Sequence, residues 1–265
     1  MKKAYEGRKR MGYFFVTNCF APKWYFESER PSNLHCVSYE FCNFKCNFCK
    51  VAYRNIENKY FKINSFDKIQ KILTELLKHG NGFKFTGGEP TLAPFLYESL
   101  KFLKERGAQI YLDTNGSNYK IIQSLISDSL IDVLGISLKG TTKMEAMEKS
   151  GVDGELCWDN VFKTIQIAKD LGIKQIIVTY VCFSDFNIDK VFEIADMFSK
   201  YSNVCLKFNN YSKTIGAPDN FKPMDTIQLY SLLEYFVHIR PEWKSRIIII
   251  DDPKAVHDYE KIKFL

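Results

Sequence analysis

The sequence predicts an α/β fold, with about six β-α units on a parallel sheet within one domain. Three observations predict it. Short apolar, strand-like runs alternate with segments of helical spacing from about residue 34 onward. Several of those runs are apolar without a break, as parallel strands buried on both faces are. No repeat, low-complexity tract or Ser/Gly-rich linker divides the 265 residues, a length that suits one large α/β domain.

Leu34–Tyr39 reads as the first strand. Phe66, Ile69, Ile72, Leu73, Leu76 and Leu77 then recur at helical spacing, with Asn64 or Ser65 as cap and His79-Gly80 as stop. Gly82–Thr86 is the second strand. Pro94 is expected to open a helix carrying Leu96, Leu100 and Leu103, which Gly107 ends. Ala108–Leu112 is the third strand, followed by a helix over Tyr119–Ile126. Ile131–Leu138 is the fourth, and Val161, Phe162, Ile165, Ala168 and Leu171 form the next helical stripe, stopped by Gly172. Ile173–Cys182 is the fifth strand, with a helix through Ile188, Val191, Phe192, Ala195 and Phe198. Val204–Phe208 is the sixth, and the last clear helix carries Ile227, Leu229, Leu233, Phe236 and Ile239. Arg246–Ile250 is expected as a further edge strand.

Residues 34–240 thus form the core. Residues 1–33 are an aromatic-rich N-terminal extension (Tyr13, Phe14, Phe15, Phe20, Trp24, Tyr25, Phe26) expected to cap it, a substrate-binding arm being the other reading. Residues 241–265 are expected to pack on the core as a C-terminal segment.

Apolar residues make up 46% and charged residues 26%, which excludes bulk disorder. The net charge is +6, from 37 basic and 31 acidic residues. Lys2, Lys3, Arg8, Lys9 and Arg10 against Glu6 supply +4 of it, so the rest of the chain is near neutral and disfavours a wholly basic, nucleic-acid-coating surface. No run approaches the ~18 apolar residues of a membrane span, and Tyr13–Val16 is too short for a signal-peptide core. A cytoplasmic protein is expected. Of eight cysteines, three crowd into Cys42-Asn-Phe-Lys-Cys46-Asn-Phe-Cys49, which fits a reducing compartment with a metal or cluster site better than disulfides. Cys157, Cys182 and Cys205 are isolated and read as buried free thiols.

The CxxxCxxC run directly follows the first strand, so it lies on a loop at that strand's C-terminal end. Three thiolates on one loop can wrap a soft metal centre. A structural zinc site closes with four ligands, and no fourth Cys or His follows at short range. A cubane cluster held by three thiolates keeps one iron open. Taken alone, the run leaves cluster and zinc site both standing. Phe85-Thr86-Gly87-Gly88-Glu89-Pro90 follows the second strand in the same way. Its glycines let backbone approach a ligand closely, and Glu89 offers a carboxylate to a cation.

Together these two segments resemble the radical S-adenosylmethionine (radical SAM) superfamily. That family's signature is CxxxCxΦC with an aromatic before the last cysteine, here Phe48, and then a Gly-Gly-Glu segment after the second strand. The resemblance covers roughly residues 34–240. It implies a partial (β/α)6 TIM-like barrel with a [4Fe–4S] cluster on Cys42, Cys46 and Cys49. It implies S-adenosyl-L-methionine chelating the open iron, with Gly87, Gly88 and Glu89 at its amino group. The reduced cluster would cleave the sulfonium and give a 5′-deoxyadenosyl radical that abstracts hydrogen from the substrate.

The strand ends agree with that expectation, because α/β barrels collect their chemistry there. Asp113-Thr114-Asn115-Gly116 ends the third strand, Ser137-Leu138-Lys139 the fourth and Asn209-Asn210 the sixth. Each can equally be ordinary turn chemistry. Asp113, Asn115, Ser137 and Lys139 are the further cofactor-binding candidates, and Lys139 is also the candidate for a catalytic role. The compact length and Asp113-Thr114-Asn115-Gly116 resemble glycyl-radical-enzyme activases, which implies a protein substrate. The chain differs from them in Ser137-Leu138-Lys139 and in Asn209-Asn210-Tyr211. A stand-alone enzyme acting on a peptide, an RNA base or a small metabolite is the alternative, and a non-catalytic metal-binding module a third reading. Lys45, Lys50, Arg54 and Lys59 surround the cysteines and offer a rim to an acidic flavodoxin or ferredoxin, or only a solvated basic surface.

Overall fold

The computed structural model describes residues 13–19, 34–49, 65–213, 219–250 and 262–264, the first and last of these as backbone alone. Nine strands form one sheet in sequence order, β1 (Tyr13–Cys19), β2 (Leu34–Tyr39), β3 (Gly82–Gly87), β4 (Gln109–Thr114), β5 (Val133–Leu138), β6 (Gln175–Cys182), β7 (Val204–Asn210), β8 (Ile247–Ile250) and β9 (Ile262–Phe264). The seven strands β2 to β8 run parallel. β1 and β9 pair antiparallel at the two margins, so the barrel stays open.

Six β-α units are present. Their helices are α1 (Phe66–Leu77), α2 (Leu96–Lys104), α3 (Tyr119–Ser127), α4 (Lys143–Ser150) with α5 (Asn160–Asp170), α6 (Ile188–Phe198) and α7 (Thr226–Ile239). The helices form because apolar residues recur at i, i+3 and i+4, and caps stop them. Asn187 and Asp225 accept hydrogen bonds from the N–H groups of Lys190 and Gln228 at the starts of α6 and α7. Their apolar faces cover the outer side of the sheet in one large core, with Val37, Phe83, Leu112, Ile136, Val178 and Phe208 among the strand residues.

The inner side carries a second, smaller core. Leu34, Tyr111, Val133, Ile177, Cys205 and Ile248 come one from each of six strands and form a single cluster. Side chains two residues further along each strand share that face. The next positions toward the C-terminal ends are Cys36, Asp113, Gly135, Thr179 and Lys207, with Lys84 in the Cys36 row. The floor of the lumen is therefore apolar and its upper part polar.

The structure departs from the sequence reading at four places. Pro94 does not open α2, which begins at Leu96 after Phe95 in the left-handed region (φ 62°). α4 was not expected, since its buried residues are only Ala146 and Ser150 and it carries no apolar stripe. Residues 246–250 do not make an edge strand, because β8 is paired on both sides. Tyr13–Cys19 adds a strand where only a cap was expected, while the rest of residues 1–33 lies outside the described residues. Among the described residues no helix is long and apolar enough to cross a membrane.

Candidate active site

The cysteine loop leaves β2 at the C-terminal end of the sheet, as the sequence predicts. Cys42, Cys46 and Cys49 are each free and half-buried. The loop is held from beneath by α4. Lys45 N–H donates to the Ser150 carbonyl (2.8 Å), and Phe44 packs in a small core with Ala146 and Cys157. Phe48 belongs to an aromatic group at the mouth, edge-on to Phe183 (5.2 Å) and Phe221 (5.8 Å).

The thiols suit an electropositive centre. Burial pushes Cys42 up to about 12, with the Phe44 N–H on its sulfur (3.4 Å) opposing. Burial also raises Cys46, and the Lys139 ammonium opposes it. A bound iron reverses that balance, because metal coordination deprotonates a thiol outright. Among the described residues no three Cys, His, Asp or Glu side chains are grouped as a single-ion site needs. Three free thiols on one half-buried loop are the donor set that would hold a cluster ligated by three cysteines.

The Gly87-Gly88 turn lies directly against that loop. Gly88 N–H donates to the Tyr39 carbonyl (2.5 Å) and Glu89 N–H to the Phe41 carbonyl (2.8 Å). Gly87 has φ +114°, and a Cβ there would collide with the Tyr39 backbone and Ser38 Oγ. A Cβ at Gly88 would strike the Phe41 carbonyl. Only glycine allows this approach.

Glu89 follows the two glycines. It is fully buried, and its carboxylate ties the site together from the outer side of the sheet. Oε1 accepts from Thr91 N–H (3.0 Å), Thr91 Oγ1 (2.6 Å) and Thr114 Oγ1 (2.6 Å). Oε2 accepts from Asn115 N–H (2.7 Å). Burial pushes its carboxyl above the usual range, against those donors. Asn115 passes the connection on. Its Nδ2 donates to Asn43 Oδ1 (2.8 Å) and lies 3.8 Å from the Cys42 sulfur, and Asn43 reaches Ser117 Oγ (2.9 Å). Glu89 and Asn115 thus brace the cysteine loop.

Ser137 and Lys139 point into the mouth from the end of β5. Lys139 Nζ lies 5.8 Å from the Phe48 ring centroid, and among the described residues no carboxylate pairs with it. Asp113 faces the lumen, paired with Lys84 Nζ (2.8 Å) and within 3.5 Å of Thr86 Oγ1. Burial opposes its charge, but Lys84, Lys207 and Lys139 hold its carboxyl below the usual range. Lys84, Thr179 and Lys207 were missed in the sequence. The available signal was a single polar residue at the centre of each apolar strand, in Gly-Phe-Lys-Phe, Ile-Val-Thr-Tyr and Cys-Leu-Lys-Phe. Lys50, Arg54 and Lys59 of the expected basic rim lie outside the described residues.

The family model for the radical SAM superfamily matches residues 36–198. The chain is 31% identical over 165 residues to a probable GTP 3′,8-cyclase of Sulfolobus acidocaldarius, covering 62% of this chain and 50% of that one. It is 29% identical over 131 residues to a putative glycyl-radical enzyme activating enzyme of Methanocaldococcus jannaschii, covering 48% and 52%. The chain spans about half the length of these curated relatives. Among solved structures, SuiB of Streptococcus suis bound to S-adenosylmethionine superposes with a TM-score of 0.65 at 20% identity, over 79% of this chain and 48% of that one. At that identity the likeness speaks to the fold alone. With more than half its length matched by the family model, the chain belongs to the radical SAM superfamily, enzymes that work with a [4Fe–4S] cluster and S-adenosyl-L-methionine.

Proposed function

We propose that this chain takes a hydrogen atom from a substrate held at the barrel mouth. The observation that supports this best is the placement of Cys42, Cys46 and Cys49 on one loop at the C-terminal end of the sheet, against the tight Gly87-Gly88 turn. When bound, the reduced [4Fe–4S] cluster on those thiolates and S-adenosyl-L-methionine supply the 5′-deoxyadenosyl radical that does the chemistry.

The chain's own residues hold and orient. Phe44 N–H and Asn115 Nδ2 lie on the Cys42 sulfur and favour its anionic form. The backbone of Gly87 and Gly88 is close enough to the cysteine loop to receive the amino group of S-adenosyl-L-methionine. Lys139, with no carboxylate of its own, suits the cofactor's carboxylate, and Ser137 its ribose. Asn115 and Glu89 act as positioning residues. Asp113, paired with Lys84, faces the lumen below them. An acidic flavodoxin or ferredoxin is the proposed electron donor, meeting the exposed Lys45 on the cysteine loop.

The Methanocaldococcus relative's name suggests a backbone glycine of a partner protein as hydrogen donor. The names of the cyclase relatives suggest a small molecule. We favour the small molecule. Thr114 and Asn115, part of the segment that resembles the activases, are engaged in bracing the site, and the polar lumen continues below the mouth. Anaerobic protein should contain equal amounts of iron and acid-labile sulfide. Cys42→Ala, Cys46→Ala or Cys49→Ala should abolish them, while Cys182→Ala should not. Zinc without sulfide would overturn the reading. Deuterium acquired by 5′-deoxyadenosine from a protein glycine would replace the small molecule with the activase reading.

A further inference from the structure

The lumen beneath the site carries more positive than negative charge. Lys84 and Asp113 form one matched pair at 2.8 Å. Lys207, on β7 across the lumen, is 4% exposed. Among the described residues it has no carboxylate within ion-pair distance and no hydrogen-bond acceptor. The carboxylate that acts on it is Asp113, already held by Lys84, which itself repels Lys207. Lys139 stands above, and among the described residues no carboxylate pairs with it either. A buried cation without a counter-charge is costly, and proteins keep one where something else supplies the charge.

A second observation concerns unpartnered polar atoms on the same face. Thr179 is the Cα partner of Lys207, is 6% exposed, and its Oγ1 has no hydrogen-bond partner. Asn209, two residues beyond Lys207 on the same face of β7, leaves its Oδ1 buried without a donor. A buried hydroxyl normally finds a partner. Lys207 and Thr179 can both donate to an oxyanion, whereas the Asn209 oxygen can only accept and would need a donor such as a hydroxyl of the same ligand. The layer is also reachable, since the Lys84 and Asp113 side chains retain 21% and 17% of their exposure.

We propose that the lumen is a substrate subsite for an oxyanion, with Lys207 as its charged donor and Thr179 beside it. The substrate is then a small molecule with a phosphate or carboxylate group that reaches below the mouth while its reacting C–H stays above, near the cysteine loop. This rests on the radical reading of the site and narrows it to an anionic substrate. Burial and the neighbouring Lys84 ammonium push the Lys207 ammonium down to about 8, with Asp113 opposing, so at neutral pH it is still mostly charged. A bound oxyanion would raise it again.

The test is calorimetric titration of the reconstituted, S-adenosyl-L-methionine-loaded full chain at low ionic strength, with inorganic phosphate in one arm and malonate in the other. At least one should bind, and the tighter arm assigns the oxyanion class. Lys207→Met should weaken that binding by about tenfold or more, the scale of one lost charge-assisted hydrogen bond. Lys207→Arg should keep most of it, and Lys200→Met, an exposed lysine, all of it. If Lys207→Met does not fold, Thr179→Val should still weaken binding several-fold. In wild-type protein carrying ¹³C-methylated lysines, the Lys207 resonance should also move on anion addition. Failure of both anions to bind the wild type, or equal binding by the Lys207→Met and wild-type proteins, overturns the proposal. Reductive cleavage of S-adenosyl-L-methionine in the same wild-type sample separates the two ideas. Cleavage without anion binding removes only the oxyanion subsite, whereas no cleavage removes the radical reading.

Discussion

The two sides of the sheet treat charge differently at its C-terminal end. On the outer side two carboxylates are surrounded by donors. Glu89 has Thr91, Thr114 and Asn115. Glu145 of α4 has Lys149 (2.6 Å), Lys190 (3.2 Å), the Tyr180 hydroxyl (3.1 Å) and Thr141 N–H (2.7 Å). Lys190 is matched again by Asp185 at 3.6 Å. On the lumen side Lys84, Lys139 and Lys207 all act on Asp113, and among the described residues only Lys84 pairs with it. A charge group that closes on itself belongs to the fold. One that stays open belongs to whatever binds there.

The largest effect should come from breaking the outer side at Glu89. Glu89→Ala leaves two backbone N–H groups and two hydroxyls without their acceptor. It should cost on the order of 3–5 kcal/mol in urea unfolding. The same variant should load less iron, because Asn115 loses its support beside Cys42. Glu89 thus acts on the cluster loop through Asn115, and a variant of native stability with full iron content would contradict the brace.

Next comes Lys207, where the comparison predicts the opposite sign. The unfolded chain holds this proton up to about pH 10.4, whereas the folded chain releases it at about 8. Between those values the unfolded state binds more protons, so stability rises with pH. Lys207→Met should therefore be more stable than wild type at pH 7, by about 3 kcal/mol. The advantage should vanish above pH 10. A destabilised variant at pH 7 would mean that the lysine is already paired.

Glu145 gives a smaller effect in the expected direction. Burial raises its carboxyl, but the Lys149 hydrogen bond, Thr141 N–H and Lys190 together hold it at about 2. Its stabilising share is complete above the ordinary carboxyl range and is lost as pH falls toward 2. Glu145→Gln should cost about 2 kcal/mol at pH 7, discounted for partial exposure, and nothing near pH 2. The smallest effect should be Thr179→Val. It removes an unpartnered hydroxyl from an isosteric shape and should change stability by less than about 0.5 kcal/mol. A large loss would show that Thr179 has a structural partner.

Much of this was legible in the sequence. Unbroken apolar runs gave the parallel strands, because such strands are buried on both faces. The cysteine spacing and the paired glycines marked loops at strand ends, where barrel chemistry collects. α4 was not legible, because a helix that buries only Ala146 and Ser150 leaves no periodic apolar signal, yet it carries the cysteine loop. The role of Glu89 was hidden because spacing does not say on which side of a strand end a carboxylate turns. Lys84, Thr179 and Lys207 were readable only after strand register put them in one lumen. Each alone is a polar residue in an apolar strand.

The proposed activity is radical chemistry on S-adenosyl-L-methionine at this barrel mouth. The most direct measurement is anaerobic incubation of the iron- and sulfide-reconstituted full chain with S-adenosyl-L-methionine and dithionite, following 5′-deoxyadenosine and methionine by mass. The account predicts equal release of both, at least slowly without substrate, and none from Cys46→Ala. Reconstituted wild-type protein that holds its cluster yet releases no 5′-deoxyadenosine, or releases as much without Cys46, would contradict it.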